Sequence, residues 1–134
     1  MPLEKVTPNK EKARSLYRMA SSSFSMAQTI DEEKYPSNTL KEYYDIIRQF
    51  IDLILLCKGY KSRGEGAHEE VITFAYQSGV LTVQEHLLAN ELRKMRNRIS
   101  YEGFFVDYDY FLRKKKDVAS LIEKLMKLSE KEIS

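Results

Sequence analysis

Leu40-Lys41-Glu42-Tyr43-Tyr44-Asp45-Ile46-Ile47-Arg48-Gln49-Phe50-Ile51-Asp52-Leu53-Ile54-Leu55-Leu56 is the stretch that decides the fold. Leu40, Tyr43, Tyr44, Ile47, Phe50, Ile51 and Ile54 recur at the spacing of one wide helical face. Leu53 and Leu56 carry apolar surface past that stripe, so this helix has more to bury than one neighbour can cover. Its start is expected near Ser37 or Asn38, where Thr39 and Glu42 also have capping-box spacing. Gly59 is a natural stop.

Working outward, the same period recurs on both sides. Thr7-Pro8 reads as an N-cap followed by proline at the first helical position. After it come Leu16, Met19, Ala20, Phe24, Ala27 and Ile30, and then a connection over Asp31 to Pro36, since a residue before proline resists the α region. Lys61 to Gly66 is loop chemistry. A short third helix is expected over Glu69 to Gln77. Thr82-Val83-Gln84-Glu85 is a capping box that opens a fourth, with Leu88, Leu92, Met95 and Ile99 as its core stripe. A fifth runs from about Asp107 and faces inward with Phe111, Val118, Leu121, Ile122, Leu125 and Leu128. No strand-like alternation competes. Short connections favour antiparallel neighbours, so the expected fold is all-α, an up-and-down bundle of four to five helices forming a single domain over 1–134.

Composition narrows the chemistry. The chain has 134 residues, 43% hydrophobic and 31% charged, with 5 Gly and 3 Pro, which suits a helical globule rather than a disordered or all-β chain. One cysteine, Cys57, excludes an intramolecular disulfide and suits a reducing compartment; its apolar surroundings suggest a buried thiol. The N-terminus has no apolar leader and no run is long enough to cross a bilayer, so a soluble, cytoplasmic protein without a membrane role is expected. There is no glycine-rich phosphate loop, no zinc spacing and no nucleophile elbow, and two histidines, His68 and His86, cannot supply a histidine-rich metal site. No cofactor and no metal are expected. His86 is read as a polar residue on an outer helix face. His68 follows Gly64-Glu65-Gly66-Ala67 at the entrance to the third helix, where a structural role is the plainer reading.

Net charge is +2, unevenly spread. Arg93 to Lys116 carries +5, leaving −3 for the rest, which favours an anionic partner for that third of the chain. Within it lies Leu92-Arg93-Lys94-Met95-Arg96-Asn97-Arg98-Ile99-Ser100-Tyr101-Glu102-Gly103. The plain reading is a core stripe with a solvated basic face. Two features ask for more. Four cations in six positions repel unless screened, and Asn97 and Ser100 stand among them where helix propensity would prefer Glu or Gln.

This segment resembles the signature of HEPN domains: an Arg, often followed by Asn, then four to six residues and a His. The likeness extends along the chain. An aromatic-started second helix, Tyr43-Tyr44-Asp45-Ile46-Ile47, closes on Leu55-Leu56-Cys57-Lys58-Gly59-Tyr60. A loop with a His precedes the third helix, and a final helix follows the Arg-Asn element. The resemblance implies a homodimer whose members are metal-independent RNases, often toxins or defence proteins, or non-cleaving binders of nucleotides or RNA. Many are encoded beside a minimal nucleotidyltransferase. In the family's RNases the Arg and His of both subunits meet at the dimer cleft, the His doing acid–base or positioning work.

Here Arg96 matches the motif Arg and Asn97 the Asn, but Tyr101 stands where His is expected. A phenol titrating near ~10 is a poor base at neutral pH beside an imidazole near ~6.5. On one straight helix, positions five apart differ by about 140°, so Arg96 and Tyr101 are not expected to meet within a chain unless the helix breaks. They would meet across a two-fold axis, for which Leu53 and Leu56 offer a surface. Three functions are therefore expected in order. The first is nucleotide or RNA binding in a toxin–antitoxin or defence setting, through Arg93, Arg96, Asn97, Arg98, Ser100 and Tyr101, with the Arg113–Lys116 run supplying long-range attraction. The second is a metal-independent RNase using Arg96 with Tyr101 or His68. The third is a non-catalytic partner of a minimal nucleotidyltransferase.

Overall fold

In the computed structural model, residues 3–62 and 68–134 are described, and they form five helices and one short strand pair. The helices are α1 (Lys10–Ala27), α2 (Pro36–Cys57), α3 (His68–Gln77), α4 (Val83–Glu102) and α5 (Tyr108–Ile133). Strands β1 (Leu3–Lys5) and β2 (Tyr60–Ser62) pair antiparallel, with Leu3 opposite Ser62 and Lys5 opposite Tyr60. The all-α expectation holds. The strand pair departs from it: Lys61 and Ser62 were expected in a loop, whereas their backbone groups find partners on the N-terminal segment, extended by Val6 N–H donating to the Gly59 carbonyl at 2.8 Å. Gly59 has φ +89, and a Cβ there would stand 3.0 Å from the Val6 carbonyl, so this corner needs glycine. The Arg63–Gly66 part of the expected loop lies outside the described residues.

α2 is the axle. α1, α3, α4, α5 and β2 all pack on it, and its buried residues lie all round rather than on one stripe. Leu53 and Leu56 are buried by their own chain. The expectation that they form a dimer surface is therefore corrected, because this wide apolar surface is consumed as the core.

α1 reaches α2 through small residues. Ala13, Ala20 and Ala27, seven apart, are essentially inaccessible, while Met19, expected in the core, is 62% exposed. A seven-residue alanine stripe lets two helix backbones approach closely, and larger side chains flank the seam: Tyr17 packs edge-on to Phe50 and Phe24 edge-on to Tyr43. The cap of α1 is Asn9, whose side chain accepts from Lys12 N–H at 3.0 Å, rather than Thr7. Proline at position 8 thus precedes the cap. α2 starts on Pro36 at its first turn, and Thr39 donates its hydroxyl to the Tyr35 carbonyl at 2.7 Å instead of closing a capping box. The Thr82 box does close: Glu85 N–H donates to Thr82 Oγ1 and Thr82 N–H to Glu85 Oε1.

The link from α4 to α5 is pinned to the start of α2. Gly103 ends α4 in the left-handed region at φ +66, and Phe104 N–H donates to the Arg98 carbonyl. Val106 N–H then donates to the buried Ser37 hydroxyl at 2.7 Å. Asp107 caps α5 by accepting from Tyr110 N–H.

The alanine seam yields a test. Ala20→Leu forces side-chain volume into a closed contact and should lower the unfolding free energy by about 1–3 kcal/mol in urea melts. An unchanged midpoint would show that α1 does not sit closely on α2.

Candidate functional site

α2 carries one polar stripe. Lys41, Asp45, Arg48 and Asp52 stand four, three and four apart, so they share one face of the helix. Its Asp45 part meets α4, and its Asp52 end borders Lys12 and Leu16 of α1 and Tyr60 of β2. Charged groups there must find partners: Asp45 finds one in the Arg-Asn segment, and Arg48 and Asp52 pair with each other.

Arg96 is the centre. Its Nε lies 3.5 Å from Asp45 Oδ1, an ion pair rather than a hydrogen bond, and its Nη1 reaches the Tyr101 hydroxyl oxygen at 3.4 Å. The guanidinium also lies 5.9 Å from the centre of the Tyr101 ring. α4 runs unbroken through this stretch. The expectation that Arg96 and Tyr101 could not meet within one chain is therefore wrong. Both side chains are long, and their reach along the surface overcomes the angular offset of their Cα atoms. Tyr101 itself is 76% exposed.

The other expected site residues separate. Arg98 turns onto Phe104, its guanidinium carbon 3.8 Å from the ring centre, and Phe105 beyond is 84% exposed. Asn97 is half-buried and Ser100 exposed. Arg93 faces inward: its Nε donates to Asn90 Oδ1 at 3.2 Å and its Nη2 lies 3.7 Å from Glu69 Oε2. His68, the first residue of α3, has its Nδ1 3.1 Å from the hydroxyl of buried Tyr44. His86 is half-buried rather than solvent-facing, stacked on Tyr76 at 4.8 Å and near Asn90. Cys57 is half-buried, and burial pushes its thiol above the usual range.

The electrostatics follow from this crowding. Burial, then the charges of Arg48, Arg96 and Arg93, lowers His68 to about 4. Burial lifts the Asp45 carboxyl despite the neighbouring Arg96, Lys41 and Arg48, and it lifts the Tyr44 phenol as well. At neutral pH His68 is therefore an uncharged imidazole with little affinity for a proton.

The basic run at the start of α5 is largely spoken for. Lys114 pairs with Glu91 at 2.9 Å, Lys115 with Glu32, and Arg113 lies over the Tyr110 ring. Its expected long-range attraction is reduced accordingly. Among the described residues no group of three or more His, Cys, Asp or Glu side chains could hold a metal ion, and no helix is long and apolar enough to cross a membrane.

Sequence reasoning missed Tyr44, Asp45 and Arg48. The polar stripe on α2 was the signal that could have found Asp45 and Arg48, whereas Tyr44 lies on the apolar face. Comparison of the chain with protein-family models, curated proteins and solved structures finds no match.

His68 gives a direct check. Its folded-state pKa lies below the ordinary 6.5, so the unfolded chain binds this proton first; the His68 contribution to stability is lost as pH falls from 6.5 towards 4. In an NMR titration the His68 ring protons should move with a midpoint near 4, while unfolding free energy declines over that window less in His68→Gln than in the unmodified chain. A midpoint near 6.5 would contradict the buried, arginine-flanked placement.

Proposed function

We propose that this chain is an HEPN-like RNA- or nucleotide-binding protein of toxin–antitoxin or defence type, acting by binding with little cleavage. The observation that carries the reading is the Arg96–Tyr101 contact at the open end of α4, with an exposed aromatic ring held against a cation that α2 positions. Arg98 on Phe104 and the exposed Phe105 continue the alternation of cations and rings. Such a surface suits a single strand, whose phosphates take the cations and whose unpaired bases stack on the rings. In this reading Arg96 and Arg98 draw the backbone, Asn97 and Ser100 offer hydrogen bonds, and Tyr101 and Phe105 stack.

Binding is favoured over cleavage by proton chemistry. A metal-independent RNase needs a base and an acid near neutral pH, a contribution of typically 10²–10⁴ in rate. Tyr101 occupies the position where the family has His, and His68 is held neutral at about 4 beside Tyr44. The RNase reading keeps one supporting observation, that the charge of Arg96 acts on the His68 imidazole. We further propose a homodimer joined near this end of α4, where Tyr101 and Phe105 would be covered in part by the second copy.

Fluorescence anisotropy with a labelled single-stranded RNA tests the reading. Affinity should fall steeply with salt. Tyr101→Ala and Phe105→Ala should each weaken binding by a factor of about 5–150, the worth of one stacked base. In light scattering the particle should have twice the 15.7 kDa chain mass. Absence of binding would refute RNA binding, salt-insensitive binding would refute gripping of phosphates by Arg96 and Arg98, and a monomer would refute the dimer. Cleavage that survives EDTA and vanishes in Arg96→Ala would move the assignment to an RNase.

A further inference from the structure

One line of side chains along α4 ends on an aromatic ring at either end. His86, Asn90, Lys94, Asn97 and Tyr101 stand four, four, three and four apart, so they follow one face of the helix. At one end Tyr101 is 76% exposed. At the other, His86 stacks on Tyr76 of α3, with ring centres 4.8 Å apart and planes within 2° of parallel. Tyr76 is the outer ring of that pair, 40% exposed where His86 is half-buried. The pair is held from behind. Asn90 Nδ2 lies 3.4 Å from His86 Nε2, and Asn90 Oδ1 accepts from Arg93 Nε at 3.2 Å. A ring fixed in this way loses little freedom when a ligand binds. Between the two ends, Lys94 is exposed and makes no ion pair among the described residues, and the Asn97 side chain makes no hydrogen bond among them.

An exposed ring on a flat stack, a free cation and an open amide on one line are the parts with which a protein tracks a single strand. We infer that the strand proposed above for the end of α4 continues along this line to Tyr76, which stacks a second base. Lys94 takes a phosphate on the way, and Asn97 a base edge or a sugar hydroxyl. From residue 86 to residue 101 the helix rises about 22 Å. Nucleotides stacked as in one strand of a duplex step about 3.4 Å apart, so at most about seven of them cover the span, and a free nucleotide cannot. The ligand is thereby an oligonucleotide, with Tyr101 and Tyr76 holding bases near its two ends. This rests on the RNA-binding reading and narrows it: it assigns the length of the ligand and uses Tyr76, His86 and Lys94, to which that reading gives no part.

Fluorescence anisotropy of the full chain with labelled single-stranded RNAs of eight and of three nucleotides tests it, since the trimer is too short to reach both rings. Tyr76→Ala should weaken the octamer by a factor of about 5–150, the worth of one stacked base, and leave the trimer within about twofold. Tyr76→Phe, which keeps the ring, should hold the octamer within about twofold. Lys94→Gln should reduce the slope of log affinity against log salt for the octamer by about 0.7, one phosphate of a single strand. Tyr101→Ala should weaken both lengths. If it does so while Tyr76→Ala leaves the octamer unchanged, the continuation to Tyr76 is overturned and the reading of the α4 end stands. If neither length responds to Tyr101→Ala, that reading falls and the continuation with it. A trimer weakened as much as the octamer by Tyr76→Ala, or a Tyr76→Phe as weak as Tyr76→Ala, also overturns the proposal.

Discussion

Burying most of the circumference of α2 is the constraint on which the rest of the molecule depends. A helix so placed can keep Lys41, Asp45, Arg48 and Asp52 only if neighbouring elements bring partners to them. α4 does this for Asp45 with Arg96, while Arg48 and Asp52 pair with each other along α2. Exposed pairs such as Lys115–Glu32 contribute little, about 0–1 kcal/mol. The Arg96–Asp45 contact is different in kind, because its partners are largely removed from water and a shift of α4 by one residue would leave both unpaired. Ion pairs of this sort are weak as sources of stability and effective at fixing register. Here the register being fixed is that of the very segment that carries Arg96, Asn97 and Tyr101.

That connection explains how a long side chain at the surface is aimed. Asp45 holds Arg96 Nε, so the remaining nitrogens extend towards Tyr101 at the open end. Ser37, two turns above Asp45 on α2, accepts Val106 N–H and anchors the link on which Phe104 and Phe105 stand. One helix thus positions both sides of the exposed aromatic end: the cation through a carboxylate, the following rings through a backbone hydrogen bond. Burial and the neighbouring arginines hold His68 neutral.

Much of the fold was legible because helix periodicity and caps are local. The α4 capping box, the Gly59 and Gly103 stops and the inward residues of α5 all follow from neighbours in sequence. What escaped depended on partners far along the chain. Thr7 and Asn9 are both competent caps, and the choice of Asn9 follows from Val6 joining the corner at Gly59. The alanine seam of α1 reads as a weak stripe beside Leu16 and Met19, since alanine signals closeness only when a second helix is present. Leu53 and Leu56 looked spare because the number of elements covering α2 cannot be counted from α2. For the site, Arg96, Asn97 and Tyr101 were visible as a spaced motif. Tyr44, Asp45 and Arg48 were hidden in a stretch whose apolar pattern drew attention away from its polar stripe. The helical-wheel objection to an Arg96–Tyr101 contact failed because it treated two long side chains as points at their Cα atoms.

The central claim is that the end of α4, supported by α2, is the surface that meets an anionic ligand. Backbone amide NMR of the full chain, titrated with a short single-stranded RNA, tests it most directly. Shift changes should concentrate in residues 93–105 and at His68, with the paired run 113–116 moving little. Changes confined to that run, or spread evenly over the surface, would contradict the account.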